Sequence, residues 1–153
     1  MKTMTDLIRA HPFLAGMAEA HVATVAGCAK NVVFEPGTYI IREGQPADEF
    51  HVLRDGHVAL EIYAPRRGSH VVQTIGPDDI LGASWIVPPY RWTSDARALD
   101  RVHAFAFDAK CLRDKCDADP ALGYALMQRF VPILVRRMSA ARLQVMDLYG
   151  ATA

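Results

Sequence analysis

The chain has 153 residues, the size of one ordinary domain, and 51% of them are apolar, which excludes the low-hydrophobicity regime of disordered chains. Lys plus Arg and Asp plus Glu are both 17, so no overall field draws the molecule to phosphates or acidic lipids, and neither nucleic acid nor membrane is expected as a partner. The three cysteines, Cys28, Cys111 and Cys116, are an odd set suggesting no disulfide framework; a reducing cytoplasm fits that usage. The apolar run near the N-terminus is broken by Asp6, Arg9 and His11, which leaves no signal peptide or membrane span to expect.

In chain order, Thr5-Asp6 precedes an apolar turn and an alanine-rich stretch follows from Glu19 to Ala29, which predicts two short helices within residues 1–30. From Asn31 the period changes. Val32-Val33-Phe34 runs into Pro36-Gly37, and Tyr39-Ile40-Ile41 into Glu43-Gly44, the punctuation of strands and turns. Phe50 to Leu53, the dipeptide Asp55-Gly56, and the alternation of Val58, Leu60 and Ile62 with Ala59, Glu61 and Tyr63 predict a β-hairpin. Further strands are expected from Val71 to Ile75 and from Arg101 to Asp108, with turns at Pro65-Arg66-Arg67-Gly68 and Gly76-Pro77-Asp78-Asp79. Short strands at this spacing imply a closed antiparallel roll over 31–108. Helical pattern resumes over 109–150. Asp119-Pro120 announces a helix to about Tyr149, with Met127, Phe130, Leu134, Met138, Ala141, Val145 and Leu148 in one apolar stripe and a bend expected at Pro132. The fold class is α+β, mainly β: a double-stranded jelly roll with N-terminal helices and a long C-terminal helix, one domain over 1–153.

The stretches Pro12-Phe13-Leu14, Phe34-Glu35-Pro36-Gly37, residues Ile41 to Asp48, Phe50 to Val58, and Ile80-Leu81-Gly82 occur in an order and spacing that resemble the cyclic nucleotide-binding domain family. Its best known members are the catabolite activator-type regulators and the regulatory subunits of cyclic-AMP-dependent kinase. The resemblance covers nearly the whole chain. It implies a non-catalytic, small-molecule-sensing regulatory domain that signals through its C-terminal helix. Strand-bounding glycines such as Gly37, Gly44 and Gly56 read as turn residues, and Gly82 as the one beside a ligand site.

In the family a glutamate directly after that glycine binds the ribose, and an arginine about nine residues later pairs with the cyclic phosphate. Here Ala83 stands at the glutamate position and Trp92 at the arginine position when Gly82 and Ala98 mark the ends of the segment. Both strong polar contacts are missing, so weak or no cyclic AMP binding is expected, unless Arg91, one residue away, takes the phosphate. The candidate ligand wall is Gly82, Ala83, Ser84, Trp85, Tyr90, Arg91 and Trp92, suited to a cyclic nucleotide or another small planar ligand. The rings serve equally to close the roll against the long helix. No cofactor is expected.

A metal-dependent jelly-roll enzyme of the cupin type is the alternative, drawing on His51, His57 and His70, which lack the close histidine pair such a site uses. Three scattered cysteines argue against an iron–sulfur sensor, and no histidine stands out as a haem ligand. A helix-turn-helix would need chain beyond Gly150-Ala151-Thr152-Ala153, so any regulation is expected to act through a protein partner. A helix of about thirty residues is roughly 45 Å long, longer than a small domain is wide. Leu134, Met138, Ala141, Val145 and Leu148 are therefore expected to project and form a homodimer seam, with Arg136, Arg137 and Arg142 as its solvated edge.

Overall fold

The computed structural model describes residues 1–150; residues 151–153, assigned above to the end of the domain, lie outside the described residues. Helix α1 (Met4–Ala10) starts at Thr3, whose hydroxyl accepts the Asp6 N–H while the Asp6 carboxylate accepts the Thr3 N–H, a reciprocal capping box. The cap therefore lies two residues ahead of the Thr5-Asp6 pair. Helix α2 (Glu19–Ala26) ends three residues earlier than the alanine pattern implies, because the chain is already paired as a strand at Ala29.

Two four-stranded antiparallel sheets form the roll. One runs β1 (Ala29–Phe34), β8 (Val102–Asp108), β3 (Glu49–Asp55) and β6 (Ile80–Leu81); the other runs β2 (Tyr39–Ile41), β7 (Asp95–Ala98), β4 (Val58–Ala64) and β5 (Gly68–Ile75). The expected β3–β4 hairpin is absent. β3 pairs with β6 and β8, whereas β4 pairs with β5 and β7, so Asp55-Gly56 is a corner at which the chain leaves one sheet for the other. Gly56 has φ +93°, and a Cβ there would meet the Arg101 carbonyl and the Val102 Cα, so the corner admits only glycine. The hairpin is β4–β5, closed at Pro65 to Gly68.

Val58 is buried and Leu60 turns into the roll, as the alternation predicts. Ile62 is instead exposed, because the β4–β5 hairpin runs on past the last β7 pair, Glu61 with Asp95. On the other face of β4, Glu61 is buried beneath Arg97, whose Nε donates to it at 2.6 Å, and Ser69, whose hydroxyl donates at 2.8 Å. Burial alone would raise this carboxyl; the two hydrogen bonds outweigh it and hold Glu61 below the usual carboxylate range.

The cysteines depart from expectation. Cys28 and Cys111 are disulfide-bonded across a separation of 83 residues, tying the end of α2 to the first turn of α3 (Ala109–Ala118). Cys116 is a free, half-buried thiol. Pairing followed the fold, which sets β1 beside β8 and so brings the residues flanking them together.

Helix α4 (Pro120–Gly150) begins as expected, with Asp119 ahead of Pro120, and runs through the exposed Pro132 without a break in its helical assignment. Leu122, Leu126, Phe130 and Ile133 are its buried positions. Phe130 reaches the centre of the core, where Phe50 stacks on Trp85 at 4.5 Å and on Phe107 at 4.8 Å and receives Phe130 edge-on at 5.3 Å. Leu53 and Phe105 are fully buried, whereas Phe34 is only half-buried. Among the described residues no helix is long and apolar enough to cross a membrane. Phe50→Ala should cost about 3–5 kcal/mol, the lost transfer energy plus a cavity between three rings, read as a fall in the urea midpoint at unchanged slope.

Candidate ligand cleft

At the end of β6 the chain turns through Gly82 (φ +95°) into a short 3-10 turn, Ser84–Ile86, and then crosses the roll toward β7. Its last part is zipped to the β2–β3 loop. The Trp92 N–H donates to the Gln45 carbonyl at 3.0 Å, the Gly44 N–H to the Trp92 carbonyl at 2.9 Å, and the Ala47 N–H to the Tyr90 carbonyl at 2.7 Å. This pairing turns the Trp92 ring inward until it is 9% exposed and lies directly over Gly82, where any Cβ would fall on the ring. Gly82 thus serves both the turn and the close approach of Trp92.

Beneath this crossing lies a cleft of about 190 Å³, lined by Ile41, Leu60, Leu81, Gly82, Ala83, Ser84, Trp92, Thr93 and Ser94 from the roll and by Leu134 and Arg137 from α4. Of the candidate wall, Gly82, Ala83, Ser84 and Trp92 are gathered here. The other three go elsewhere. Trp85 is fully buried in the ring stack. Tyr90 lies under the Arg113 guanidinium at 4.2 Å, and Arg113 also donates to the Trp85 carbonyl at 2.6 Å. Arg91 is exposed and donates to the Gly44 carbonyl at 2.8 Å, so it is not in the lining.

Arg137, expected at the solvated edge of the seam, is instead largely buried against the roll. Its Nη2 donates to Asp79 at 2.7 Å and also to the Ile80 carbonyl, and its Nε–H is buried with no acceptor. Leu134, grouped above with the dimer seam, borders this cleft and is 39% exposed. Helix spacing carries part of this: Arg137 lies four residues after the buried Ile133 and Leu134 four residues after the buried Phe130, which puts both beside the buried face.

On the other side of Trp92 a second hollow, about 260 Å³, is lined in part by Phe34, Tyr39, Arg42, Gln45 and His51. His51 is 6% exposed, meets the Phe34 ring edge-on at 5.4 Å, and has a buried Nδ1 without a partner. Burial first, and the charge of Lys30 second, push its pKa down from 6.5 to about 4. His57 pairs instead with Asp100 at 2.8 Å on the surface. His51, His57 and His70 are not assembled into a site, and among the described residues no three histidine, cysteine or acidic side chains gather as a metal site.

A roll of two four-stranded sheets, crossed at one mouth by a glycine-led segment and backed by a long helix, defines a regulatory ligand-sensor fold. The family model described as the cyclic nucleotide-binding domain matches residues 31–119, and the chain belongs to that family. It is 24% identical over 145 residues to the CRP-like cAMP-activated global transcriptional regulator of Mycobacterium tuberculosis, covering 95% of this chain and 63% of that one. It is 31% identical over 118 residues to cyclic nucleotide-gated ion channel 18 of Arabidopsis thaliana, covering 71% of this chain and 17% of that one. Among solved structures, a putative cyclic nucleotide-binding protein from Geobacter metallireducens superimposes with a TM-score of 0.79 at 27% identity, covering 90% of this chain and 99% of that one. The chain thus spans less than two thirds of the length of the curated relatives it matches.

His51 gives a test of the packing around Trp92. Its folded pKa is depressed, so the unfolded chain binds the extra proton between pH 6.5 and about 4, and stability is lost as pH falls through that window. His51→Leu should flatten the stability profile between pH 6.5 and 4 in urea titrations, leaving only the carboxylate-driven loss at lower pH.

Proposed function

We propose that the domain is a non-catalytic sensor of a small molecule, that neither cyclic AMP nor cyclic GMP is its working ligand, and that ligand state passes to a protein partner through α4. The position of Trp92 carries this reading. The ring occupies the place that the family resemblance gives to the phosphate-pairing arginine, and it closes over Gly82. The remaining cleft, about 190 Å³, is smaller than the roughly 300–1,000 Å³ of ordinary ligand pockets. Ala83 offers no carboxylate for a sugar hydroxyl, and Arg91 is engaged with the Gly44 carbonyl. Calorimetry should therefore find no cyclic AMP or cyclic GMP binding at micromolar concentration; a micromolar dissociation constant, lost in Arg91→Ala, would establish the alternative in which Arg91 takes the phosphate.

The same proposal makes the protein a homodimer through α4, supported by the exposure of Met138, Val145 and Leu148 at 49%, 49% and 71%, with Ala141 also exposed between them. Exposed apolar stripes of this extent mark association surfaces. Neither nucleic acid nor membrane is given a part. The cytoplasm is the location that goes with this reading; there the Cys28–Cys111 bond has to persist against thiol buffers, and Cys28, at 7% exposure, is shielded. Met138→Glu with Val145→Glu spares Leu134 in the cleft and should give monomers by sedimentation at micromolar concentration, with the melting temperature of the roll kept. A monomeric unaltered chain would remove the dimer from the proposal.

A further inference from the structure

The family resemblance looks for a cation on the segment after Gly82, and that segment supplies none to the cleft. The fold brings one from elsewhere. Arg137 arrives from α4, 55 residues beyond Gly82 in sequence, and is the sole ionisable group among the described residues that line the cleft. No carboxylate shares that lining. Its guanidinium is pre-oriented, since Nη2 is held by Asp79 at 2.7 Å and by the Ile80 carbonyl. The Nε–H is nevertheless buried without an acceptor. A planar guanidinium with five donors can hold one carboxylate while offering another edge to a second. The hydroxyls of Ser84, Thr93 and Ser94 border the same space, and the Trp92 ring, Ile41 and Leu60 supply flat and branched apolar surface.

Resting on the reading of the domain as a small-molecule sensor, we propose that this cleft binds a small organic carboxylate with a compact apolar or aromatic body, and that Arg137 of α4 reads its charge. The volume excludes larger bodies, and the hydroxyls complete the carboxylate's acceptor demand. The ligand takes the remaining donors and shares the single positive charge with Asp79, so each weakens the other's hold on Arg137. Arg137 is the side chain that fastens α4 to the β5–β6 turn, so occupation of the cleft redistributes the hydrogen bonds that hold the helix. That is a direct coupling between the site and the element that faces a partner, and it needs no intervening network.

The test uses the 153-residue chain with benzoate as probe, its neutral isostere benzamide as control, and cyclic AMP in parallel, read by calorimetry and by the fluorescence of the Trp92 environment. Benzoate should bind saturably and benzamide at least tenfold more weakly. Arg137→Gln should weaken benzoate at least tenfold and erase the difference between the two probes. Asp79→Asn, which removes the competing carboxylate but keeps an oxygen for the Ile80 N–H, should tighten benzoate severalfold. Opposite shifts from two variants that break the same ion pair are what a merely structural Arg137 cannot produce. Equal binding of benzoate and benzamide, no saturable benzoate binding, or shifts of the same sign in both variants would each overturn the inference. Tight cyclic AMP binding, by contrast, would overturn the parent reading, whereas weak cyclic AMP binding with no preference for benzoate overturns the inference alone.

Discussion

The Trp85 indole lies nearly parallel to Phe50, Phe50 lies nearly parallel to Phe107, and Phe130 of α4 meets both Phe50 and Trp85. Each such ring pair contributes about 0.5–1.5 kcal/mol beyond the area it buries. Its positional effect is larger than its energy. Trp85 belongs to the segment that crosses the roll, Phe50 and Phe107 to neighbouring strands, and Phe130 to the long helix, so one stack fixes three layers relative to each other. With Trp85 drawn into the core, the chain from Val87 to Pro89 runs over the surface, and Trp92 is the next fully inward-turned residue. The cleft has its shape because of that sequence of commitments.

Around the stack the helices are fastened by arginines that donate to backbone carbonyls of the roll and of the N-terminal segment. Arg113 reaches the Trp85 carbonyl, Arg129 reaches that of Ala15 at 3.0 Å, and Arg137 reaches that of Ile80. Hydrogen bonds with a charged donor contribute about 1.5–3 kcal/mol where a neutral pair gives about half as much. A carbonyl acceptor does not neutralise the donor, however. Arg129 and Arg137 each retain a buried Nε–H without a partner. The docking of α3 and α4 is therefore specific in direction, since each guanidinium fits one stretch of backbone, and at Arg137 the charge is shared with the Asp79 carboxylate at 2.7 Å.

The architecture was legible where local chemistry decides it: strand-bounding glycines, the Asp119-Pro120 helix start, and the family-like order of the motifs. Legibility ended where a residue has two equally good local roles. Asp55-Gly56 guarantees a reversal, but whether the next strand joins the same sheet depends on β7 and β8, which lie forty or more residues later. β7 itself, Asp95-Ala96-Arg97-Ala98, has weak strand propensity and exists because β2 and β4 flank it. Trp85 and Trp92 are chemically equivalent by sequence, and only their opposite fates, core and cleft, distinguish them. The location of Arg137 in the cleft was hidden for another reason: a helix period says which face a residue occupies, and not which loop that face meets.

The disulfide has a topological consequence. All eight strands lie between Cys28 and Cys111, so the bond closes a ring that holds the whole roll and leaves α1, α2 and α4 as tails outside it. β1 and β8, the first and last strands, are paired from Ala29 with Phe107 to Phe34 with Val102. Along the open chain that pairing spans most of the domain and ranks among the slowest kinds of contact to form. Around the ring, Ala29 and Phe107 are separated by five residue steps and one disulfide, and the most distant strand pairing becomes as local as a hairpin. The oxidised chain can therefore zip the roll from its ends inward, while the reduced chain must find the same register by closing a loop of some seventy residues without a tether.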